Sequence, residues 1–260
     1  MPRHILPATV PFVALAAVLL TACGGTDSDS SDSSTSDGAK APASAAAAAP
    51  LSAAELTSKA LTKTDVKGFL VSEPTKEETV TADKVTSKRE DCAPLSLSLS
   101  GVALDDPKAT VQRRATGKKQ APAGAEKDID AAVDAAFDTT TSVVTLASYA
   151  DETAAKKALT SIGKSVTACA GGYDFTAMGS TQKVTKVTTG TAPEAGDEAV
   201  AFTAAVQQDG MPKPGPMKVT AFRTGTTVTY VSSVNPASLM KGGDFEFPTV
   251  LVQTQAKKLG

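Results

Sequence analysis

The pattern of apolar and polar positions predicts a helix at the start of the region that spans residues 51–260. Ser52 and Glu55 have the spacing of a capping box, in which each side chain bonds the backbone of the other. Gly68 ends the segment that begins with this helix. The apolar residues after the cap recur at the period of one helix face, and they are Leu56, Ala60 and Leu61.

A second amphipathic pattern, the clearest in the chain, follows Asp151. Asp is a good N-cap because its carboxylate accepts hydrogen bonds from the first free backbone amides. Cys169 falls at the end of the pattern, and Gly171 and Gly172 stop it. The stripe expected to be buried consists of Ala154, Ala155, Ala158, Leu159, Ile162 and Val166.

Three further segments are predicted to be helical. Pro248 opens a final helix over residues 249–259, and a short helix lies between Pro94 and Ser100. Residues 126–137 have apolar positions at helical spacing and acidic residues on the opposite face. That acidic stripe could bind a cation, although a solvated helix face is the alternative that we favour; it consists of Asp130, Asp134 and Asp138.

Thr- and Val-rich stretches with period-two alternation predict strands between these helices. Thr224 and Gly225 form a natural two-residue hairpin turn, and residues 210–216 form a longer connection. Helices before and after a run of antiparallel strands indicate the α+β class, with an antiparallel sheet, a meander in the C-terminal half and flanking helices. The predicted strands are residues 69–71, 79–88, 109–115, 142–149, 181–188, 198–207, 217–223 and 226–234.

Residues 1–22 have the parts of a secretory signal: a weakly basic start, an apolar run over residues 11–20 and small residues before Cys23. The apolar run is too short for a transmembrane helix, which needs roughly 20 apolar residues. Leu-Thr-Ala-Cys resembles the bacterial lipoprotein signal, which implies cleavage before Cys23 and attachment of lipid to its sulfur. The alternative is an ordinary secreted protein in which this cysteine is incidental.

Residues 23–50 are predicted to form a disordered tether behind the lipidated cysteine. Ser and Asp dominate its first half and Ala and Pro its second, so it cannot bury enough apolar surface to offset its ordering entropy. Residues 51–260 are then one extracytoplasmic α+β domain. This organisation places the domain on the outer face of the cell membrane, held by membrane lipid through Cys23.

Composition narrows the possible functions. The one histidine, His4, lies in the predicted signal peptide, so the mature chain has no imidazole for a Ser-His-Asp site or a histidine metal site. The chain has 28 acidic and 26 basic residues. Residues 51–260 keep 24 of each, because four Asp and Lys40 lie in the tether and Arg3 lies in the signal peptide. A neutral domain gives no electrostatic reason to expect nucleic acid.

Cys92 and Cys169 remain once Cys23 is assigned to the lipid. An even number of cysteines in an exported chain indicates a disulfide. Two free thiols for redox chemistry are the alternative, but the Cys-x-x-Cys spacing is missing.

Few motifs suggest chemistry. Ser161 and Lys164 match the Ser-x-x-Lys nucleophile pattern of penicillin-binding proteins, but the partner motifs are absent and the tetrapeptide lies inside a predicted helix. The acidic pairs Asp105-Asp106 and Glu77-Glu78 adjoin turns and do not by themselves face each other across a substrate. Nucleotide-binding glycine motifs are missing too, so no cofactor and no metal are expected.

Several segments together resemble a group of actinobacterial exported domains. They are the lipoprotein signal, the tether, the helix LSAAELTSKALTKTDV, Asp91-Cys92 and the stretch SYADETAAKKALTSIGKSVTAC. The combination is similar to the extracellular sensor domain of PknH-type serine/threonine kinases and to related stand-alone lipoproteins. The resemblance implies a compact α+β domain with helices packed on an antiparallel sheet and a cleft for an unidentified ligand. Domains of that family typically have two disulfides, whereas this chain can form one.

We therefore expect a membrane-anchored, non-enzymatic domain that binds a small ligand or an envelope protein. The alternatives are an envelope enzyme that works without histidine and a plain spacer. If a ligand site exists, the scarce aromatic residues are its first candidates, because aromatic contacts concentrate binding energy. These candidates are Tyr173, Phe175 and Tyr230, and filling the core or the surface is the alternative that we favour for each of them.

Overall fold

The computed structural model describes residues 49–118, 137–208, 210–211 and 213–260. The predicted signal peptide, Cys23 and almost all of the predicted tether lie outside these residues. So does the predicted helix over residues 126–137, except Phe137. No helix in the described ranges is long and apolar enough to span a membrane.

Two of the helices begin where the sequence places their caps. Ser52 Oγ accepts a bond from Glu55 N at 3.3 Å while Glu55 Oε2 accepts one from Ser52 N at 2.8 Å, so the predicted capping box is confirmed. Asp151 Oδ1 likewise accepts a bond from Ala154 N at 2.8 Å. The described helices are α1 (Ala53–Lys59), α2 (Ala93–Leu99), α3 (Glu152–Ala168), α4 (Pro236–Lys241) and α5 (Thr249–Leu259).

Within the described ranges, nine antiparallel strands form one sheet, which confirms the predicted α+β class. Their order across the sheet is β1-β3-β4-β9-β8-β7-β6-β5-β2, so the last five strands in sequence make a meander. The strands are β1 (Phe69–Ser72), β2 (Val85–Ser87), β3 (Ala109–Gly117), β4 (Thr141–Ser148), β5 (Tyr173–Ala177), β6 (Ser180–Gly190), β7 (Glu198–Gln207), β8 (Gly215–Thr224) and β9 (Thr227–Val234).

Helices cover both faces of the sheet, so the central strands β4, β8 and β9 contribute to two cores. On one face α2 and α3 pack in the first core, which includes Leu95, Ile162 and Tyr230. On the other face α1 and α5 pack in the second core, which includes Leu56 and Leu251. Period-two alternation divides the strands between them: Ala147, Ala221 and Tyr230 belong to the first core, and Leu146, Phe222 and Val231 to the second.

A buried glutamine joins the two helices of the second core. Gln255 on α5 has no exposed surface. Its Oε1 accepts a bond from Leu61 N at 3.1 Å, and its Nε2 donates to Lys59 O at 2.9 Å. The side chain thereby satisfies backbone groups that would otherwise be left unpaired at the end of α1.

The predicted strand over residues 79–88 was wrong in its first half. Thr75 and Glu78 form a local turn, with Thr75 N bonded to Glu78 Oε2 at 3.0 Å and Glu78 N to Thr75 Oγ1 at 3.3 Å. Ala82–Lys84 is a short 3₁₀ helix, and the strand β2 begins only at Val85. Side chain to backbone bonds in the turn compete with strand pairing.

Two other boundaries differ from the prediction, and one helix was not predicted. The meander starts at β5, earlier than the predicted residue 181. Because Thr224 pairs with Thr227, the β8–β9 turn is formed by Gly225 and Thr226, one position later than expected. Helix α4 was not predicted, although Asn235 followed by Pro236 is a helix-start signal.

Candidate functional site

A cleft of ≈ 550 Å³ opens beside strand β3. Its size is in the usual range for small-molecule sites, about 300–1,000 Å³. One wall comes from the connection between β1 and β2, the other from the connection between α2 and β3, and residues 110–113 of β3 lie between them. The lining residues include Glu73, Pro74, Val80, Val102, Asp105, Asp106, Thr110, Gln112 and Arg113.

Polar side chains from three neighbouring strands hold the α2–β3 wall in place. Thr145 Oγ1 donates to Gly101 O at 2.6 Å, and Gln112 Nε2 donates to the same oxygen at 2.8 Å. Ser232 Oγ donates to Leu99 O at 2.7 Å. These bonds satisfy carbonyl groups at the end of α2 and fix the chain that leads into the cleft.

Tyr230, one of the predicted ligand contacts, lies beneath this wall and does not line the cleft. Its hydroxyl oxygen is 3.4 Å from Leu104 N, and Tyr149 OH donates to Leu104 O at 2.7 Å. Burial raises the pKa of both phenols above the ordinary value, which keeps them neutral and able to donate. Tyr230 therefore positions the wall, and a direct ligand contact stays a prediction.

The β1–β2 wall is tied to the sheet by ion pairs. Glu78, on the Thr75 turn, pairs with Arg114 of β3. Arg113 Nη2 lies 3.4 Å from Glu73 Oε1, and Arg113 Nε donates to Leu61 O at 3.2 Å. The Arg113 side chain is only 11% exposed, so its charge is held by Glu73 and by backbone oxygens.

Asp105 and Asp106 give the cleft its negative character. Both residues are exposed on the α2–β3 wall, and the described residues offer them no ion-pair partner. Asp105 has φ 53°, in the left-handed region that Asp tolerates better than most residues. With Glu73 balanced by Arg113, the two aspartates leave the cleft suited to a cationic group.

Tyr173 and Phe175 lie side by side on β5, with ring centroids 6.0 Å apart. Both are buried in the first core, at 6% and 4% exposure. Burial also raises the pKa of the Tyr173 phenol. Neither ring lines the cleft, so a role in ligand binding remains a prediction, and filling the core is the role that their positions support.

Cys92 and Cys169 form the predicted disulfide, with Cα atoms 5.9 Å apart. Both are buried, and the bond ties the start of α2 to the end of α3. Arg89 Nη2 also donates to Ala168 O at 3.0 Å and pairs with Asp91 at 2.7 Å. Asp91 is close to both sulfurs, but a disulfide provides no thiolate for a metal.

The other motifs from the sequence take structural roles. Ser161 Oγ donates to Ala158 O at 2.7 Å inside α3, so the Ser-x-x-Lys tetrapeptide has its hydroxyl bonded to its own helix. Asp138 Oδ1, the described member of the acidic stripe, accepts a bond from Asn235 Nδ2 at 3.0 Å. Of the acidic pairs, Asp105-Asp106 reaches the cleft. Gln112 and Thr145 were not singled out from the sequence, because their partner at Gly101 is set by the tertiary fold.

Comparison with known proteins gives a likeness of fold. No family model matches the chain, and no curated protein matches it either. The crystal structure of the extracellular domain of PknH from Mycobacterium tuberculosis aligns with a TM-score of 0.50 and 11% identity, over 81% of this chain and 95% of that one. An uncharacterized protein from Mycobacterium smegmatis (Rv0999 ortholog) aligns at TM-score 0.33 and 11% identity, over 74% and 88%, and supports no conclusion. At 11% identity the first likeness establishes a similar fold alone.

Proposed function

We propose that this protein is a membrane-anchored extracytoplasmic domain that binds a ligand in the β3 cleft without chemically changing it. The observation that carries the proposal is the cleft itself: ≈ 550 Å³, apolar at Val80 and Val102, and acidic at Asp105 and Asp106. A largely apolar cavity with a few polar groups is the usual form of a small-ligand site.

The polar groups around the cleft favour binding over catalysis. Gln112 Nε2 and Thr145 Oγ1 are committed to Gly101 O, and Arg113 is committed to Glu73 and Leu61 O. A catalytic site would need a nucleophile or an acid and base facing one reacting atom. Apart from Asp105 and Asp106, the polar residues named here are instead bonded to the walls of the cleft, which supports a binding role. A histidine-independent envelope enzyme is the alternative, and conversion of the bound ligand would reveal it.

The anchor in this proposal is a lipid on Cys23, for which the sequence of residues 1–23 is the support. The fold shared with the PknH extracellular domain supports the placement of residues 51–260 outside the cytoplasm. Cys23→Ala expressed in the native host should lose palmitate labelling and leave the membrane fraction. Persistence of the variant in membranes after a high-salt wash would contradict lipid anchoring.

The binding proposal is tested by native mass spectrometry of the mature chain, purified from membranes of its host and compared with recombinant protein. We expect an additional mass on the host protein. Thr110→Trp, which fills the cleft from an exposed strand position, should remove that mass. The matched control is Thr189→Trp, at an exposed position of β6 that does not line the cleft, and it should keep the mass. An unmodified host protein, or a mass that survives Thr110→Trp, would contradict the proposal.

A further inference from the structure

Two hydrogen bonds fix which neighbour each backbone group of β3 faces. Gly117 N donates to Thr140 O at 2.9 Å, on the β4 side, and Lys118 N donates to Gly68 O at 2.6 Å, on the β1 side. Successive residues of a strand direct their N–H and C=O groups to opposite sides. The odd-numbered residues of β3 therefore bond to β4, and the even-numbered residues face β1.

Strand β1 is too short to pair all of these even-numbered residues. Its last residue, Ser72, lies opposite Arg114. The next even-numbered positions of β3 are Gln112 and Thr110, and continuing the register would place Pro74 opposite Gln112. Proline has no N–H to donate, so the ladder cannot continue there.

The exposed backbone groups at these two positions have no partners within the described part of the chain. No bond reaches the N–H of Thr110 or of Gln112, and none reaches Thr110 C=O. Gln112 C=O accepts one bond, from Arg113 Nη1 at 2.8 Å. Backbone groups of this kind are normally paired, and an unpaired row on an edge strand is a template for another strand.

This unpaired edge lies inside the cleft, where both Thr110 and Gln112 are lining residues. We propose that the cleft binds an extended peptide segment with a basic side chain, which pairs with β3 at Thr110 and Gln112 as an added strand. The proposal rests on the proposed function and names the ligand class for the same site. Added strands gain affinity from main-chain bonds and specificity from alternate side chains.

The spacing of the free groups favours a peptide over other ligands. Thr110 and Gln112 are two residues apart, so their N–H groups repeat at about 7 Å along the strand. An extended backbone presents acceptors and donors at the same repeat. The added strand would occupy the course that β1 would follow past Pro74, between the two walls of the cleft.

The negative charge of the cleft favours a basic side chain on the peptide. Asp105 and Asp106 are exposed on one wall, and Glu73 opposite them is balanced by Arg113. A Lys or Arg on the peptide would meet two uncompensated carboxylates, whereas an acidic residue would be repelled. Val80 and Val102 provide apolar contact for the neighbouring side chains.

The test is selection from a phage-displayed library of random heptapeptides on the full mature chain. We expect enrichment of sequences with Lys or Arg between β-branched residues. Synthetic versions of the selected peptides should lose binding when alternate backbone nitrogens are methylated, because methylation removes main-chain donors. In the wild-type protein, binding should slow hydrogen exchange of the Thr110 and Gln112 amides.

Gln112→Pro and Gln112→Ala form a matched pair of variants. Both lose the side-chain bond to Gly101 O, but only proline removes the N–H that faces the cleft. The selected peptide should bind the proline variant about tenfold or more weakly than the alanine variant, which corresponds to one lost main-chain bond. Thr110→Pro and Thr110→Ala repeat the comparison at a second position, and the exchange measurement needs no variant.

Failure of this inference can be told apart from failure of the proposed function. Absence of enrichment, equal binding to the two Gln112 variants, a preference for acidic peptides, or pairing of β3 with a second copy of the chain would each overturn the peptide inference. If host-purified protein still carried a mass that Thr110→Trp removes, the cleft would remain a ligand site for another class of molecule. If phage selection gave no peptide and the host-purified protein carried no added mass, both proposals would be contradicted.

Discussion

The hydroxyl oxygens of Tyr149 and Tyr230 lie 2.6 Å apart in the first core. Tyr149 uses its proton to donate to Leu104 O, so the bond between the two phenols is donated by Tyr230. The Tyr230 oxygen is in turn the acceptor for Leu104 N. The two rings and both backbone groups of Leu104 thus form a closed cycle, which holds the wall of the cleft next to Asp105.

The direction of these bonds predicts unequal effects of removing each hydroxyl. Tyr149→Phe leaves Leu104 O and the Tyr230 proton without partners, so the free energy of unfolding should fall by about 2–4 kcal/mol. Tyr230→Phe removes the long 3.4 Å bond from Leu104 N but keeps the shorter Tyr149 to Leu104 O bond, so it should cost less, about 1–2 kcal/mol. Urea unfolding at neutral pH measures both. Equal losses, or a larger loss for Tyr230→Phe, would contradict the assigned donor directions.

All three tyrosines of the chain are buried, which predicts an unusual response to alkali. Burial raises the pKa of each phenol, whereas an unfolded chain titrates near pH 10. Above about pH 10 the unfolded state therefore loses protons first, so stability is full below that pH and falls as pH rises further. Ultraviolet absorbance should show phenolate only together with loss of circular dichroism. Phenolate appearing in the folded protein at about pH 10 would contradict burial of the hydroxyls.

The disulfide should account for a large part of the stability. Cys92 and Cys169 are 77 positions apart, and a loop of that length corresponds to about 4–5 kcal/mol in the chain-entropy account. Reduction of the wild-type protein, or replacement of both cysteines by alanine, should lower the free energy of unfolding by about that amount. Reductant should have no effect on the double variant. Unchanged stability after verified reduction would contradict the prediction.

Two glycines should respond to alanine in opposite directions. Gly163 lies within α3 with open space around it, so Gly163→Ala should stabilise by about 0.5–1 kcal/mol. A methyl group on Gly215 would overlap the backbone of Leu239, where α4 packs on β8, so Gly215→Ala should destabilise by about 1–3 kcal/mol. Thermal unfolding of the two variants checks both signs. A stable Gly215→Ala protein would mean that α4 packs less closely than described.

Much of the fold follows from local signals. The caps at Ser52 and Asp151 and the apolar stripe of α3 placed two helices, because capping and helical period depend on residues only a few positions apart. Alternation likewise placed seven of the nine strands in full or nearly so and predicted the antiparallel meander. Composition predicted the disulfide between Cys92 and Cys169.

The candidate site could not be predicted from local signals in the sequence. The scarcity of aromatic residues pointed to Tyr173, Phe175 and Tyr230, but scarcity does not tell whether a ring faces solvent, and all three are buried. Gln112 carries no distinguishing signal in sequence, and it enters the cleft because β1 ends opposite Arg114, two residues before Gln112 is reached.

The sequence by itself determined most element types, the α+β class, the cysteine pair and the absence of histidine from residues 51–260, because each depends on composition or on neighbours along the chain. Only the tertiary structure decided strand order, the bonds of Tyr149 and Tyr230 to Leu104, and the lack of a partner strand for Thr110 and Gln112 on the β1 side of β3. These depend on residues brought together from distant parts of the chain, such as Leu104 and Tyr230, which are 126 positions apart. Their energies are set by burial and register, which local pattern does not encode.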